Sequence, residues 1–454
     1  MRKNIATYLA LFSLLFVAAS CKDDNQIIGD VSGTHYAYVT AFNIDNIKCP
    51  FHDVTAMGED TIVEKIVSGD EFEFVINHAA KEIYNIDSLT FGTKVNKVVS
   101  YISCVGVPYR YVAAEDSYVY YNSSDSVDFT SPVNVCIAST DGTYESYYTI
   151  KLNVHQVDPN LMVWEKFVDA TLEGVTPAKL LEKGDKLYLF GTSSAGDIVV
   201  AESSLQGSPV WGVVAASLPA GSDLSSILLF GDKFYVLAQG DVYASADALS
   251  WEVVSSGAGF VSLFSVSDNG SKLWAADASN IYSSVDGESF QQVQSLPEGF
   301  PLYGNNFINS TLTTNANIHR TILIGYATAE KTGDVKVWCR LSNGSGWFEY
   351  SLGNNEYTCP SFGGLAVLGY DDAMFAFGGA TKFGGVQLNS FDKFYISRDN
   401  GVVWKECNDY GVSLPAELKG ADEAFAAAVS QNEYMWIVTP TAVWKGRINR
   451  LGFK

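Results

Sequence analysis

The chain has 454 residues, of which 47% are hydrophobic and 13% aromatic, and a formal net charge of −22. That length exceeds what one core ordinarily supports, so two or three domains are expected, and the apolar content excludes disorder throughout. The acidic balance repels polyphosphate, whose partners bring Lys and Arg to displace counterions, and this argues against nucleic acid as a partner.

Arg2 and Lys3 precede an apolar run over residues 5–17, and Ala18, Ala19 and Ser20 lead into Cys21. A charged start, an apolar centre and a small-residue cleavage site make a secretory signal over residues 1–20, whereas a spanning helix needs roughly 20 apolar residues and other flanks. The segment resembles a bacterial lipoprotein signal with Cys21 as the lipobox cysteine. That resemblance implies cleavage before Cys21, acylation of its thiol and a membrane partner reached through the lipid. Lys22, Asp23 and Asp24 follow, and they resemble the acidic tag with which Bacteroidetes lipoproteins reach the outer face of the outer membrane. The expected location is therefore the outer membrane, lipid-anchored and facing the exterior. Residues 1–20 hold two cations and no acid, so the chain without them carries −24.

Residues 21–33 are polar and contain glycine, as a flexible tether does. From 34 to 157 the pattern is of short alternating strands, at 36–42, 71–76, 97–103, 117–121, 133–138 and 147–154, with Asp141-Gly142 as a tight hairpin signal. Six or seven strands in roughly 120 residues suit an immunoglobulin-like sandwich, here without the Cys-Trp-Cys spacing of antibody domains. Beyond Cys21 the chain holds Cys49, Cys104, Cys136, Cys339, Cys359 and Cys407 and no CxxC. Such spacing suits buried thiols better than a disulfide framework.

Within this domain, the run Ile83 to Thr93 resembles a motif in a family of uncharacterised Bacteroidetes lipoproteins that join an Ig-like N-terminal domain to a C-terminal β-propeller. The run Val443 to Phe453 is similar to the end of the same family. What the resemblance implies is an architecture; it brings no activity with it.

Pro159 cannot continue a ladder, so the boundary falls near residue 158 and a second domain runs over 158–454. There, strands after a small turn recur at 184–190, 231–237, 270–276, 320–326, 372–377 and 432–438. The first five are each followed by an aromatic that opens a further strand, Trp211, Trp251, Phe290, Trp347 and Trp404, and Trp164 stands before the first copy. Steps of about 40 to 57 residues suit four-stranded propeller blades, and six copies predict six blades. The last copy lacks a fourth strand, while the stretch around Trp164 is one strand too many at the start. The fold expected is all-β: an N-terminal sandwich, then a six-bladed propeller closed by pairing its first and last strands, which removes both exposed edges.

The clearest repeat unit is Ser397, Asp399, Gly401 and Trp404. These residues fit the Asp-box of bacterial sialidases and other propellers, and Asp247 with Trp251 and Asp286 with Phe290 fit it with one residue fewer. Physically, the carboxylate bonds the turn's own amides and Gly401 takes a positive φ. Single carboxylates on successive turns cannot supply the six to eight oxygens calcium wants, so these residues are expected to be structural.

Sialidase chemistry, by analogy, needs three arginines on the substrate carboxylate. The second domain holds only Arg320, Arg340, Arg398, Arg447 and Arg450, and Arg398 lies inside the turn motif. Four of the five histidines, His35, His52, His78 and His155, precede it, leaving His319 alone, so neither a metal nor any cofactor is expected. Gly378-Gly379 resembles a kelch glycine pair.

Long connections at 297–317, 350–362, 378–391 and 408–420 are placed on the face opposite the turn motifs, where extra loop length is often functional. Tyr303, Asn305, Asn306 and Phe307 in the first, with Tyr357 and Tyr410 in others, offer the aromatic platforms and amides that a sugar would need. For any single one of these residues, packing its own loop down is the favoured reading. The function expected is a non-enzymatic, lipid-anchored binding module for a glycan or an outer-membrane protein. The alternative is a polysaccharide hydrolase or lyase using carboxylates on the propeller loops, and a purely structural spacer would show no concave pocket.

Overall fold

The computed structural model describes residues 33–54, 60–267, 271–331, 333–350, 356–383 and 386–452. The signal over 1–20, the lipidation position Cys21 and most of the tether lie outside the described residues. Outside the segment 52–63, the chain divides into two compact units between residues 155 and 156. Both are all-β, and the described helices are single 3-10 turns.

The N-terminal unit has a six-stranded sheet in the order Phe74–Asn77, Glu82–Asn85, Glu145–Lys151, Val133–Ala138, Val107–Val112, Ser117–Tyr120. A three-stranded sheet of Tyr38–Ile44, Val98–Val105 and Ser126–Val127 shares its core. Alternation does the sorting: Ser146, Tyr148 and Ile150 face in, while Glu145 and Tyr147 face out. Ile83, Val135, Ile137 and Ile150 are fully buried at the centre. The strand expected over 71–76 begins later, at Phe74, because Ser68 caps a 3-10 turn over Gly69–Glu71.

The second unit is a β-propeller domain built of four-stranded antiparallel sheets. Thr176–Lys183, Lys186–Thr192, Ile198–Ser204 and Gly212–Ala215 make the first in chain order; sheets led by Ser222–Phe230, Ser262–Ser267, Tyr303–Leu312 and Gly363–Tyr370 follow. The sheet led by Ala426–Val429 continues through Met435–Val438 and Val443–Ile448, and its fourth strand is Met162–Phe167, paired from Met162 with Ile448 to Phe167 with Val443. The leading strand Thr176–Lys183 neighbours Ser222–Phe230 on one side and Ala426–Val429 on the other. Ser262–Ser267, Tyr303–Leu312 and Gly363–Tyr370 continue the same succession of neighbours.

The second strand of each sheet is covered on both faces, which selects near-continuous apolar runs: Phe234, Tyr235, Val236, Leu237 and Ala238, or Met435, Trp436, Ile437 and Val438, are all buried. Each fully buried Val, Leu or Phe contributes about 1.5–3 kcal/mol of transfer free energy. Outermost strands such as Gln291–Ser295 stay largely exposed and polar. One connection is corrected here. Residues 297–317, read as a long connection between recurring strands, are mostly the strand Tyr303–Leu312 and the start of Asn315–Tyr326.

The turn motifs hold strand to strand. Asp399 Oδ1 accepts from the amides of Val402 and Val403 at 3.1 and 2.9 Å and from Ser397 Oγ at 2.8 Å. Trp404 Nε1 closes the turn on the Gly401 carbonyl at 3.0 Å, with Gly401 at φ +94°. Asp247 and Asp286 accept two backbone amides each in the same manner, and Trp251 Nε1 bonds the Ala248 carbonyl. Hydrogen bonds to the ionised form hold the carboxyls of Asp247 and Asp286 below the ordinary range, the amide of Ser250 leading at Asp247 and that of Ser289 at Asp286.

Candidate functional site

Four of the leading strands slip in register near their first residues: between Pro177 and Lys179, Asp223 and Leu228, Tyr303 and Asn306, and Gly363 and Ala366. A bulge leaves a residue unpaired, bends the strand and re-aims its side chains. Residues within those slips, among them Ala178, Ser225, Gly304, Asn305, Gly364 and Leu365, line one cavity of about 700 Å³. Gly304 and Gly364 sit at φ +62° and +60°, where a side chain would be strained, so glycine is what lets these strands bend away and open the space.

The wall is small and apolar on one side, with Ala380, Ala424 and Ala426 beside Phe362 and Phe425. Tyr326 completes it: its hydroxyl is buried against Ser361 Oγ at 3.1 Å and the Phe362 carbonyl at 3.2 Å, and burial raises its pKa. Charge is arranged around the margin and below it. Glu330, Lys331 and Asp422 are exposed, and Glu423 accepts from Thr441 Oγ1 at 3.2 Å. Lys179 is half-buried, and it also lines a second hollow of about 10 Å³, roughly one water, together with Asp223, Ser262 and Asn305. Desolvation pulls the Lys179 ammonium below the ordinary lysine range, with the Asp223 carboxylate opposing.

The residues singled out from sequence divide. Asn305 and Asn306 line the cavity. Asn305 Nδ2 donates to Ser262 Oγ at 2.5 Å, and its Oδ1 is buried without a partner. Asn306 has its amide engaged across to the next sheet, accepting from Val367 N at 3.1 Å and donating to the Leu365 carbonyl at 3.2 Å. Asn309 does the same on the other side, donating to the Ser265 carbonyl at 3.3 Å and accepting from Ser267 N at 3.2 Å. Leading strands of adjacent sheets do not form a ladder with each other, so these amides satisfy backbone groups left over between them.

Phe307 packs into two of the inter-sheet cores and borders the smaller hollow. Tyr303 pairs with Tyr326 at the head of its strand and is not among the residues lining the cavity. Tyr357 is exposed, and its carbonyl accepts from Trp404 N at 2.9 Å, which places it at the outermost strand rather than the cavity. Tyr410 is exposed and also off the cavity wall. The aromatic platforms expected on the loops are therefore not brought together. Lys179 was missed because it alternates in the sequence like any polar strand residue; the glycines at 304 and 364, each inside a strand, were the available signal.

Among the described residues, no group of three or more His, Cys, Asp or Glu is placed to hold a metal ion. The described cysteines are free thiols, with Cys49, Cys136, Cys339 and Cys359 buried. The N-terminal unit has its own open hollow of about 550 Å³, lined by His35, Tyr36, Tyr38, His78 and Tyr144 among others.

Comparison with known proteins follows the two units. Residues 158–454 match the model described as the DUF6242 beta propeller domain, and residues 35–152 match the N-terminal domain of that same domain of unknown function. No curated protein matches the chain. Among solved structures, a DUF4623 family protein from Bacteroides eggerthii is 9% identical at a TM-score of 0.35, covering 90% of this chain and 98% of that one. A catalytically inactive virginiamycin B lyase from Staphylococcus aureus is 9% identical at 0.39, covering 63% and 99%. The WD40 domain of Neurospora crassa Pan2 is 9% identical at 0.35, covering 64% and 97%. Likenesses at these scores carry no argument about function.

Proposed function

The chain belongs to the DUF6242 family, and on that premise we propose that it is a lipid-anchored envelope protein whose propeller binds a glycan, without chemistry, in the cavity at the heads of the leading strands. The observation that carries this is the convergence of four strand bulges on one space of about 700 Å³. A volume in the range of small-molecule sites, walled by small residues with a polar margin, is what a binding site requires and a mere spacer does not.

Three finer readings belong to the same proposal. The four-stranded sheets are six blades of a closed ring, and support comes from Met162–Phe167 lying beside Val443–Ile448 and from Thr176–Lys183 neighbouring Ala426–Val429. The N-terminal unit is an Ig-like sandwich acting as a spacer, supported by its two sheets about one core. The turns around Asp247, Asp286 and Asp399 are Asp-boxes with a structural role, supported by the amides that each carboxylate accepts. Anchoring through Cys21 and exposure on the outer membrane rest on the signal and on the residues that follow it.

A hydrolase is the second reading, favoured by Glu330, Asp422 and Glu423 lining the same cavity. Affinity gels loaded with host and plant polysaccharides separate the two. The ectodomain from Lys22 onward should be retained without release of reducing ends; release would establish cleavage, by elimination if an unsaturated sugar absorbing in the ultraviolet appears with it and by hydrolysis otherwise, and the absence of both would turn the search to a protein partner.

A further inference from the structure

Among the described residues, Lys179 differs from half-buried lysines such as Lys81 and Lys336. Lys81 Nζ donates to Ser146 Oγ at 2.9 Å, and Lys336 Nζ meets Glu349 Oε1 at 3.1 Å. No hydrogen bond or ion pair reaches Lys179 Nζ among the described residues. The Asp223 carboxylate, which shares the smaller hollow with it, is engaged in its own turn, its Oδ1 accepting from Ser225 N at 3.0 Å and Ser225 Oγ at 2.6 Å. The bulge between Pro177 and Lys179 turns the lysine side chain into the cavity. Its Nζ therefore meets the water of the cavity rather than a protein acceptor, and an anionic ligand entering there would take the place of that water.

We propose that Lys179 anchors the ligand and that the ligand presents it a carboxylate, as a uronic acid residue does. The inference rests on the cavity-binding reading above. Two lysines line the cavity, but Lys331 is exposed at the margin, where its charge is screened, and Lys179 alone is half-buried. A point charge with three donors suits one monoanionic group; a phosphate dianion ordinarily draws several close cations or a nest of backbone amides. Repulsion from Glu330 and Asp422 does not cancel the attraction. Those carboxylates are exposed at the margin, where water and salt screen them over about 8 Å, while the half-buried Lys179 acts at contact in a medium that screens far less. The same marginal carboxylates, with Glu423, accept hydrogen bonds from the hydroxyls of a sugar's neutral remainder.

Acylation of individual lysines in the intact ectodomain by acetic anhydride, read by mass spectrometry, tests this directly. The probes are galacturonate, glucuronate, mannuronate and guluronate oligomers and the same oligomers with their carboxyls reduced to alcohols, with the exposed Lys233 as internal reference. At least one acidic oligomer should slow acylation of Lys179 by about tenfold or more and its reduced counterpart should not, in keeping with a charged hydrogen bond. Lys179→Met should lose that oligomer on the affinity gel, while Lys179→Arg retains part of the binding. Equal protection by acidic and reduced forms would overturn the carboxylate inference and leave cavity binding standing. No protection by any acidic oligomer, with neutral glycans still retained by the ectodomain, would overturn it too. Loss of retention for every glycan would remove the cavity-binding reading itself.

Discussion

The indole of Trp164 lies over Gly446, its direct partner across the ladder between Met162–Phe167 and Val443–Ile448. A Cβ added at Gly446 would stand 2.4 Å from Cδ2 and Cε3 of that ring, closer than two carbon atoms can approach. The indole is fixed from its other end as well, where Nε1 donates to the Ser413 carbonyl at 2.8 Å. A residue from the start of the domain thus fits only because its partner near the end has no side chain.

The first prediction follows from that fit. Gly446→Val drives the indole off the ladder and should destabilise the protein by about 1–3 kcal/mol, the usual cost of overpacking. Gly212→Ala, where nothing stands within 4 Å of the added carbon, should stay within about 0.5 kcal/mol of the parent. Urea midpoints of the two variants check it, and equal midpoints would contradict it.

A second prediction concerns acid. The folded pKa of Asp247 and Asp286 lies below the ordinary value near 3.8. Their stabilisation is therefore complete above about pH 4 and is lost as pH falls through the lowered folded values. Asp247→Asn with Asp286→Asn should lower the denaturation midpoint at pH 7 and flatten its decline between about pH 4 and 2. A parallel decline in parent and variant would show that these turns do not depend on ionised carboxylates.

The amides between leading strands give a third. Asn306→Ala leaves Val367 N and the Leu365 carbonyl without their partner, and a stranded half-buried group costs about 1–3 kcal/mol. Thermal unfolding should show the loss, and hydrogen exchange should quicken at Val367 in particular. An unchanged rate at Val367 would argue that water replaces the amide freely.

Thiol chemistry gives a fourth. Burial raises the pKa of Cys359 and Cys339, so neither forms thiolate readily in the folded protein. Of the thiols after Cys21, both should be silent to a disulfide reagent in buffer and should react in denaturant without added reductant. A requirement for reductant would mean that a disulfide forms where the structure has free thiols.

How much of this was legible beforehand depends on what kind of pattern encodes it. Period carried the all-β class and the propeller, because a stretch covered on both faces, such as residues 234–238, must be apolar throughout and must recur with its sheet. The turns were legible because Asp399 and Gly401 act within a few residues of each other. The cavity was not, since a bulge is a property of two strands in register and Gly304 or Gly364 by itself says only that something bends. Nor was the use of Asn306 and Asn309. In sequence an Asn-rich run looks like loop, and only the neighbouring strands at Ser265 and Val367 show what those amides hold. Loop aromatics such as Tyr357 drew attention by composition, yet the Tyr357 carbonyl holds Trp404 N and its ring lies under Lys405 Nζ, contacts with its own sheet that side-chain type cannot announce.

The measurement that bears most directly on the central claim compares Ala178→Trp with Tyr357→Ala and Tyr410→Ala on the same glycan affinity gels. Ala178 is exposed on the cavity wall, so an indole there fills space without displacing core. Retention should be abolished in Ala178→Trp and unchanged in the two tyrosine variants. Retention that survives Ala178→Trp and disappears with either tyrosine would place binding on the loops and contradict the cavity as the site.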